Sequence, residues 1–297
     1  MRVNSLPIRD EDSLLAEMAI WNAGDKKQKF NLFVEDQNGD LAYSELLDRK
    51  YTGMFEVNIY RCLSRSAVIE KFLKWKSNSL DVENILFLVD KDFTIWSKDD
   101  DPVDKHFLRW GNFTFENYLI DKTPTIYALR SLLLSKSHHD IEPVFSDWSM
   151  WIENMYLELK DLFICFVISH KYELGKNTSL SPHKFYDSKK GKLCTQRINQ
   201  EIENIKIRCT KKGFDFDTSF DDIEKYYLNR PLKGMHELVK GKYYYTYLIY
   251  EINNRAKMID TSIRPWTEKS AFFHFLVKTP IENFYELWDK IDGIAIV

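Results

Sequence analysis

Glycine and proline are scarce in this chain, 10 and 8 of 297 residues. That scarcity argues against a turn-rich all-β fold and against a disordered, low-complexity chain. An excess of charge is also missing, since 42 Lys and Arg against 45 Asp and Glu leave a formal net charge of −3. The whole molecule therefore does not advertise itself to nucleic acid. A nucleic-acid enzyme of this charge needs local basic surface around an acidic, metal-filled centre. Long apolar runs are absent as well. The longest, Leu162 to Ile168, is too short to span a bilayer, and Met1 to Asp12 has no apolar stretch of signal-peptide type. The four cysteines, Cys62, Cys165, Cys194 and Cys209, form no C-x-x-C pair, which points to free thiols in a reducing compartment. A soluble cytoplasmic protein with no membrane association is the expectation from these absences.

What is present is a hydrophobic share of 44%, with Phe 20, Tyr 16 and Trp 8, ample for a packed core. The pattern predicts a short helix at 13–23 and then an alternation. Residues 29–35 read as a strand, Gly39-Asp40 opens a helix, 56–61 is a second strand, 66–75 a second helix, and 84–89 a third strand buried on both faces. A β-α-β-α-β order implies a parallel sheet with right-handed crossovers. Beyond Thr123 helical periodicity takes over, at 123–136, 141–170, 197–208, 220–230, 243–257 and 280–291. The polar stretch 171–196 reads as a long exposed loop. The expected division is an N-terminal helical segment (1–28), an α/β core (29–135) and a mostly helical region (136–297) for substrate and partner contacts.

The chemistry concentrates where apolar strands stop in carboxylates. Phe33-Val34-Glu35-Asp36 ends the first strand and Val89-Asp90-Lys91-Asp92 the third. Like charges gathered at neighbouring strand ends repel unless a cation joins them. In a parallel sheet ligands collect beyond the carboxyl ends of the strands. If the backbone stays extended through Asp92, Asp90 and Asp92 share one face and Lys91 takes the other. A few hard oxygen ligands suit Mg²⁺ or Mn²⁺ completed by substrate phosphate. Two such ions roughly 3.5–4 Å apart support phosphodiester cleavage or transfer. Taken singly, a strand-end carboxylate is commonly a helix cap or a solvated turn residue, and Asp36 and Asp40 illustrate that reading. The joint occurrence of Glu35, Asp90 and Asp92 is harder to dismiss. An EF-hand at Asp90 fails because Ile95 stands where glycine is required, and Gly241-Lys242 lacks the spacing of a phosphate-binding P-loop.

These residues resemble the TOPRIM module of primases, topoisomerases and OLD-type nucleases, which places a strand-end Glu and a strand-end Asp-x-Asp around Mg²⁺. The run Asn112-Phe113-Thr114-Phe115-Glu116-Asn117-Tyr118-Leu119-Ile120 is similar to an S-x-E-N-Y-L segment of a TOPRIM-like family of bacterial anti-phage defence. That family includes the toxin subunit of the PARIS system, whose partner is an ABC-type ATPase. The resemblance covers roughly residues 29–125. It implies Glu35 as the catalytic metal-linked glutamate, Asp90 and Asp92 as metal ligands, and Glu116 as an additional carboxylate near the metal. Asp40 is left as a secondary metal ligand or helix cap. Asp36 departs from the pattern, because a glycine usually follows the strand-end glutamate. The resemblance further implies a Mg²⁺-dependent nuclease toxin, RNA rather than DNA as substrate with transfer RNA foremost, and an ABC-type ATPase that restrains it. A homodimer of the active form is one option.

Basic residues at Lys189 to Lys192, Lys206 to Lys212 and Lys233 to Lys242 accompany the run Tyr243-Tyr244-Tyr245-Thr246-Tyr247. They either grip phosphates and stack bases, with Lys240 and Lys242 as phosphate contacts, or form a solvated face above core tyrosines. His236 is the histidine nearest a basic segment and a candidate for acid-base work. Trp148 and Trp151 read as core or interface anchors. Two other readings stand beside the nuclease. One is a non-catalytic metal-binding scaffold or sensor associated with an ATPase. The other is primase-like nucleotidyl transfer, against which the lack of a zinc-binding cysteine cluster speaks.

Overall fold

The computed structural model describes residues 28–35, 39–77, 84–93, 96, 101–134, 136–175, 180–187, 190–229 and 237–294. The expected helix at 13–23, Asp36, Lys189, Lys233 and His236 lie outside them. Two compact units account for the chain, and they interleave along it. The first comprises residues 1–89, 101–109 and 284–297; the second comprises 90–100 and 110–283. The sequence pattern alone instead places the boundary at 135.

The first unit is α/β. Strands β1 (Gln28–Val34), β2 (Phe55–Arg61), β3 (Ile85–Val89) and β4 (Phe107–Arg109) form one sheet in the order β2-β1-β3-β4. Every pair is parallel, with Phe33 beside both Tyr60 and Phe87 and Val34 beside Leu88. Phe30, Leu32, Phe33 and Val34 are all buried, as are the five residues of β3. Both faces of the central strands are thus covered, as their unbroken apolar runs require. Phe33, Ile85, Phe87, Val89 and Phe107 make one face, on which Val68 and Phe72 of helix α2 (Arg65–Ser77) pack. Phe33 stacks on Tyr60 at 4.5 Å and on Phe87 at 4.8 Å. Helix α1 (Gly39–Tyr51) begins with a glycine for lack of room, because a Cβ there would lie 2.6 Å from Val34 Cγ2.

The second unit is helical and carries the larger core. It contains α3 (Lys122–Leu132), the short α4 (His138–Ile141), α5 (Trp148–Lys171), α6 (Thr195–Lys211), α7 (Phe216–Leu228), α8 (Gly241–Ile259) and α9 (Glu268–Lys278). Helix α10 (Tyr285–Ile294) belongs to the sheet unit, where Tyr51 donates to Asp292 at 2.7 Å and meets Trp288 edge-on. The apolar run Leu162–Ile168 is the buried middle of α5. Among the described residues no helix is long and apolar enough to cross a membrane. The segment expected as a loop at 171–196 instead holds a 3-10 turn, Pro182–Phe185, and a small hairpin of β5 (Tyr186–Asp187) and β6 (Lys192–Leu193). The four cysteines are free thiols.

Candidate functional site

Glu35 is the residue immediately after β1 and is half-buried; Asp90 immediately follows β3 and is buried. Their strands are parallel neighbours, so both residues continue strands at the carboxyl edge of the sheet. Asp40 sits in the first turn of α1, where a carboxylate favours the positive helix end, and its Oδ2 lies 3.9 Å from Arg61.

The chain does not stay extended after Asp90, contrary to the expectation for Asp-x-Asp. Asp92 takes a left-handed conformation with φ +43°, which an L-residue adopts at some cost unless its surroundings hold it. Two hydrogen bonds do so by tying 90–92 to 113–115. Phe115 N–H donates to Asp90 Oδ1 at 3.1 Å, and Asp92 N–H donates to the Phe113 carbonyl at 3.1 Å. The Asp-Lys-Asp triplet then meets the segment before α8 with alternating charge. Lys91 Nζ lies 3.1 Å from Glu237 and donates to the Gly111 carbonyl at 3.0 Å. Lys240 Nζ lies 3.5 Å from Asp92 Oδ1.

Asp90 and Glu116 also act on the Lys240 ammonium. Burial works against its charged form, but the carboxylates of Asp92, Asp90 and Glu116 outweigh burial and raise its pKa. Three of the four expected metal ligands therefore act on one positive charge, and the lysine expected to hold phosphate supplies it. Lys242, two residues on, is exposed on the first turn of α8.

Asn117 fixes this arrangement and was visible in the sequence only as a letter in the resembling motif. Its Nδ2 donates to the Val239 carbonyl at 3.0 Å, while its Oδ1 accepts from Gly241 N–H at 2.8 Å and from Thr114 N–H at 2.9 Å. One amide thus grips the residues on either side of Lys240. Gly241 has no room for a side chain, since a Cβ would lie 2.2 Å from the Asn117 backbone nitrogen. Tyr118 completes the turn, its hydroxyl accepting from Gly111 and Asn112 N–H at 3.1 Å each. So Glu116-Asn117-Tyr118 place, in order, a carboxylate, a clamp and a brace.

The tyrosine run does not offer stacking faces. Tyr243, Tyr244, Tyr245 and Tyr247 are buried in the helical core. Tyr245 donates to the Glu268 carbonyl and Tyr247 to the Pro182 carbonyl, both at 2.8 Å. Trp148 and Trp151 are half-buried and stack on each other at 5.7 Å.

Carboxylate oxygens are the donors that Mg²⁺ and Mn²⁺ prefer, and Asp90, Asp92 and Glu116 fit such an ion in kind and in charge. Among the described residues, however, no three potential ligands are close enough together to make a ready ligand set. No protein-family model matches the chain, and no curated protein matches it.

Proposed function

We propose that the protein is a Mg²⁺-dependent nuclease of TOPRIM type, an effector that cuts RNA, with transfer RNA as the foremost substrate and an ABC-type ATPase as its restraint. The observation that carries the reading is the parallel pairing of β1 with β3, two neighbouring strands that each run directly into a carboxylate, Glu35 and Asp90. Asp90 and Asp92 would hold the ion, with Glu116 beside them. Bound there, the ion supplies an activated water and charge for the leaving oxygen. Phe115 N–H orients the Asp90 carboxylate, the backbone bond from Asp92 to Phe113 sets the second aspartate, and Glu35 would move the proton of the attacking water.

A second reading is favoured by the ammonium of Lys240 beside Asp92. Carboxylates balanced by the protein's own cation also suit a non-catalytic scaffold or sensor bound to an ATPase. Manganese tests the metal site that the nuclease requires, and cleavage of RNA separates the nuclease from a metal-binding scaffold. A ligand at 100 times its Kd stabilises a folded protein by about 2.7 kcal/mol, so Mn²⁺ is expected to raise the Tm of the wild type by several degrees. Asp90→Asn keeps the oxygen that accepts from Phe115 but removes the charge, and the Tm shift should vanish. An equal shift in both proteins would show that Asp90 is not a ligand.

A further inference from the structure

We infer that Lys240 is a built-in cation that competes with the divalent metal for the carboxylates of Asp90, Asp92 and Glu116, and that Asn117 is the positioning residue that holds it there. The inference rests on the proposed metal site and adds how its occupancy is set.

The placement of Lys240 breaks a local rule. It is the residue immediately before α8, at φ −60° and ψ 127°, where the unsatisfied N–H groups of the first turn make the helix end positive. Cations are disfavoured at that end, and side chains that cap it are normally acceptors. A lysine retained there, half-buried and over the Phe113 ring at 5.9 Å, needs compensation from elsewhere. Asp92 at 3.5 Å supplies it directly, and the charges of Asp90 and Glu116 add to it. Local rules broken in this way tend to mark function.

The backbone geometry removes the alternative that Lys240 lies beside the acids by chance. Asn117 holds Val239 and Gly241 by one side-chain amide, and Asn117 itself directly follows Glu116. The carboxylate of Glu116 and the stem of Lys240 are therefore carried by two backbones locked to each other. Gly241 allows the approach, since any Cβ would collide with Asn117 and the Glu116 carbonyl carbon. Asp90 is bound to the same turn through Phe115 N–H.

Two cations cannot share these carboxylates cheaply, because like charges a few ångströms apart repel even at high effective dielectric. A divalent ion must therefore displace the ammonium or bind against its repulsion. Its affinity is lowered accordingly, and a displaced Lys240 is released next to the bound ion, where a substrate phosphate would lie.

The test is a titration of Mn²⁺ against the purified full chain, read as free Mn²⁺ by electron paramagnetic resonance, with no substrate present. Lys240→Gln is expected to bind Mn²⁺ about tenfold more tightly than the wild type. Lys240→Arg, which keeps the charge, should stay within about threefold of it. Asn117→Ser, which frees the lysine while leaving every charge in place, should also tighten binding, whereas a merely structural defect would weaken it. Should Lys240→Gln fail to fold, Lys240→Met gives the same reading. If the wild type binds Mn²⁺ through Asp90 but Lys240→Gln binds no more tightly, competition is overturned and the nuclease reading stands. If neither the wild type nor Lys240→Gln binds Mn²⁺, both are overturned.

Discussion

Lys91→Ala is expected to cost the protein about 3–5 kcal/mol of stability, measured as the loss in unfolding free energy by urea titration. The side chains of Lys91 and Glu237 are each about 10% exposed and lie 3.1 Å apart, and Lys91 also donates to the Gly111 carbonyl. Truncation withdraws the ammonium from a carboxylate already out of water and leaves a cavity where the lysine stem lay. Replacing both charges together should be far milder. A buried pair exchanged for apolar groups of similar volume is often neutral or better, so Lys91→Met combined with Glu237→Met should recover most of what either single change loses. Single changes that simply add would show that the two charges do not act as a pair.

Gly241→Ala is expected to destabilise the protein by about 3 kcal/mol, the upper end of what overpacking usually costs. Helix propensity predicts the opposite sign, since alanine is better than glycine in a helix by roughly 1 kcal/mol. Space decides against propensity here. The new Cβ would meet the Asn117 backbone nitrogen at 2.2 Å, and its Oδ1 and the Glu116 carbonyl carbon at 2.7 Å each. Backbone atoms cannot swing aside as the end of a side chain can. Relief requires α8 to move from the 115–119 turn, which would also break the bond from Gly241 N–H to Asn117. A thermal melt checks this. A raised Tm would mean that α8 does not approach the turn so closely.

The fold and the candidate site are only partly legible in the sequence. The strands at 29–35 and 84–89 were legible because buried parallel strands are continuous apolar runs, and the structure places them at Gln28–Val34 and Ile85–Val89. Strand β4 was missed because Phe107–Arg109 is too short to show a period and is defined by pairing with β3. Helix α9 was also missed, and α5 starts seven residues later than the pattern suggested, after a 3-10 turn that includes Pro143. Among the site residues, Glu35, Asp90 and Asp92 stood out because a charge at the end of an apolar run is conspicuous. The left-handed turn at Asp92 was not readable, since it depends on a bond to Phe113. In the sequence Lys240 stands out by its neighbourhood of lysines and tyrosines. Its actual partners, Asp92 and the Asn117 clamp, are far away in sequence. The tyrosines went to the core for the same reason, since tertiary contacts and not composition decide which side of a helix is covered.

The most direct test of the proposed chemistry is cleavage of labelled transfer RNA, alongside DNA of similar length, by the purified protein in Mg²⁺. The wild type and Glu35→Ala are compared at equal folded concentration. The proposed site predicts metal-dependent cutting of RNA by the wild type and a rate at least about 100-fold lower for Glu35→Ala, the usual scale for loss of a general acid-base group. Cleavage by Glu35→Ala at the wild-type rate, or a wild type that cuts neither RNA nor DNA, would contradict it.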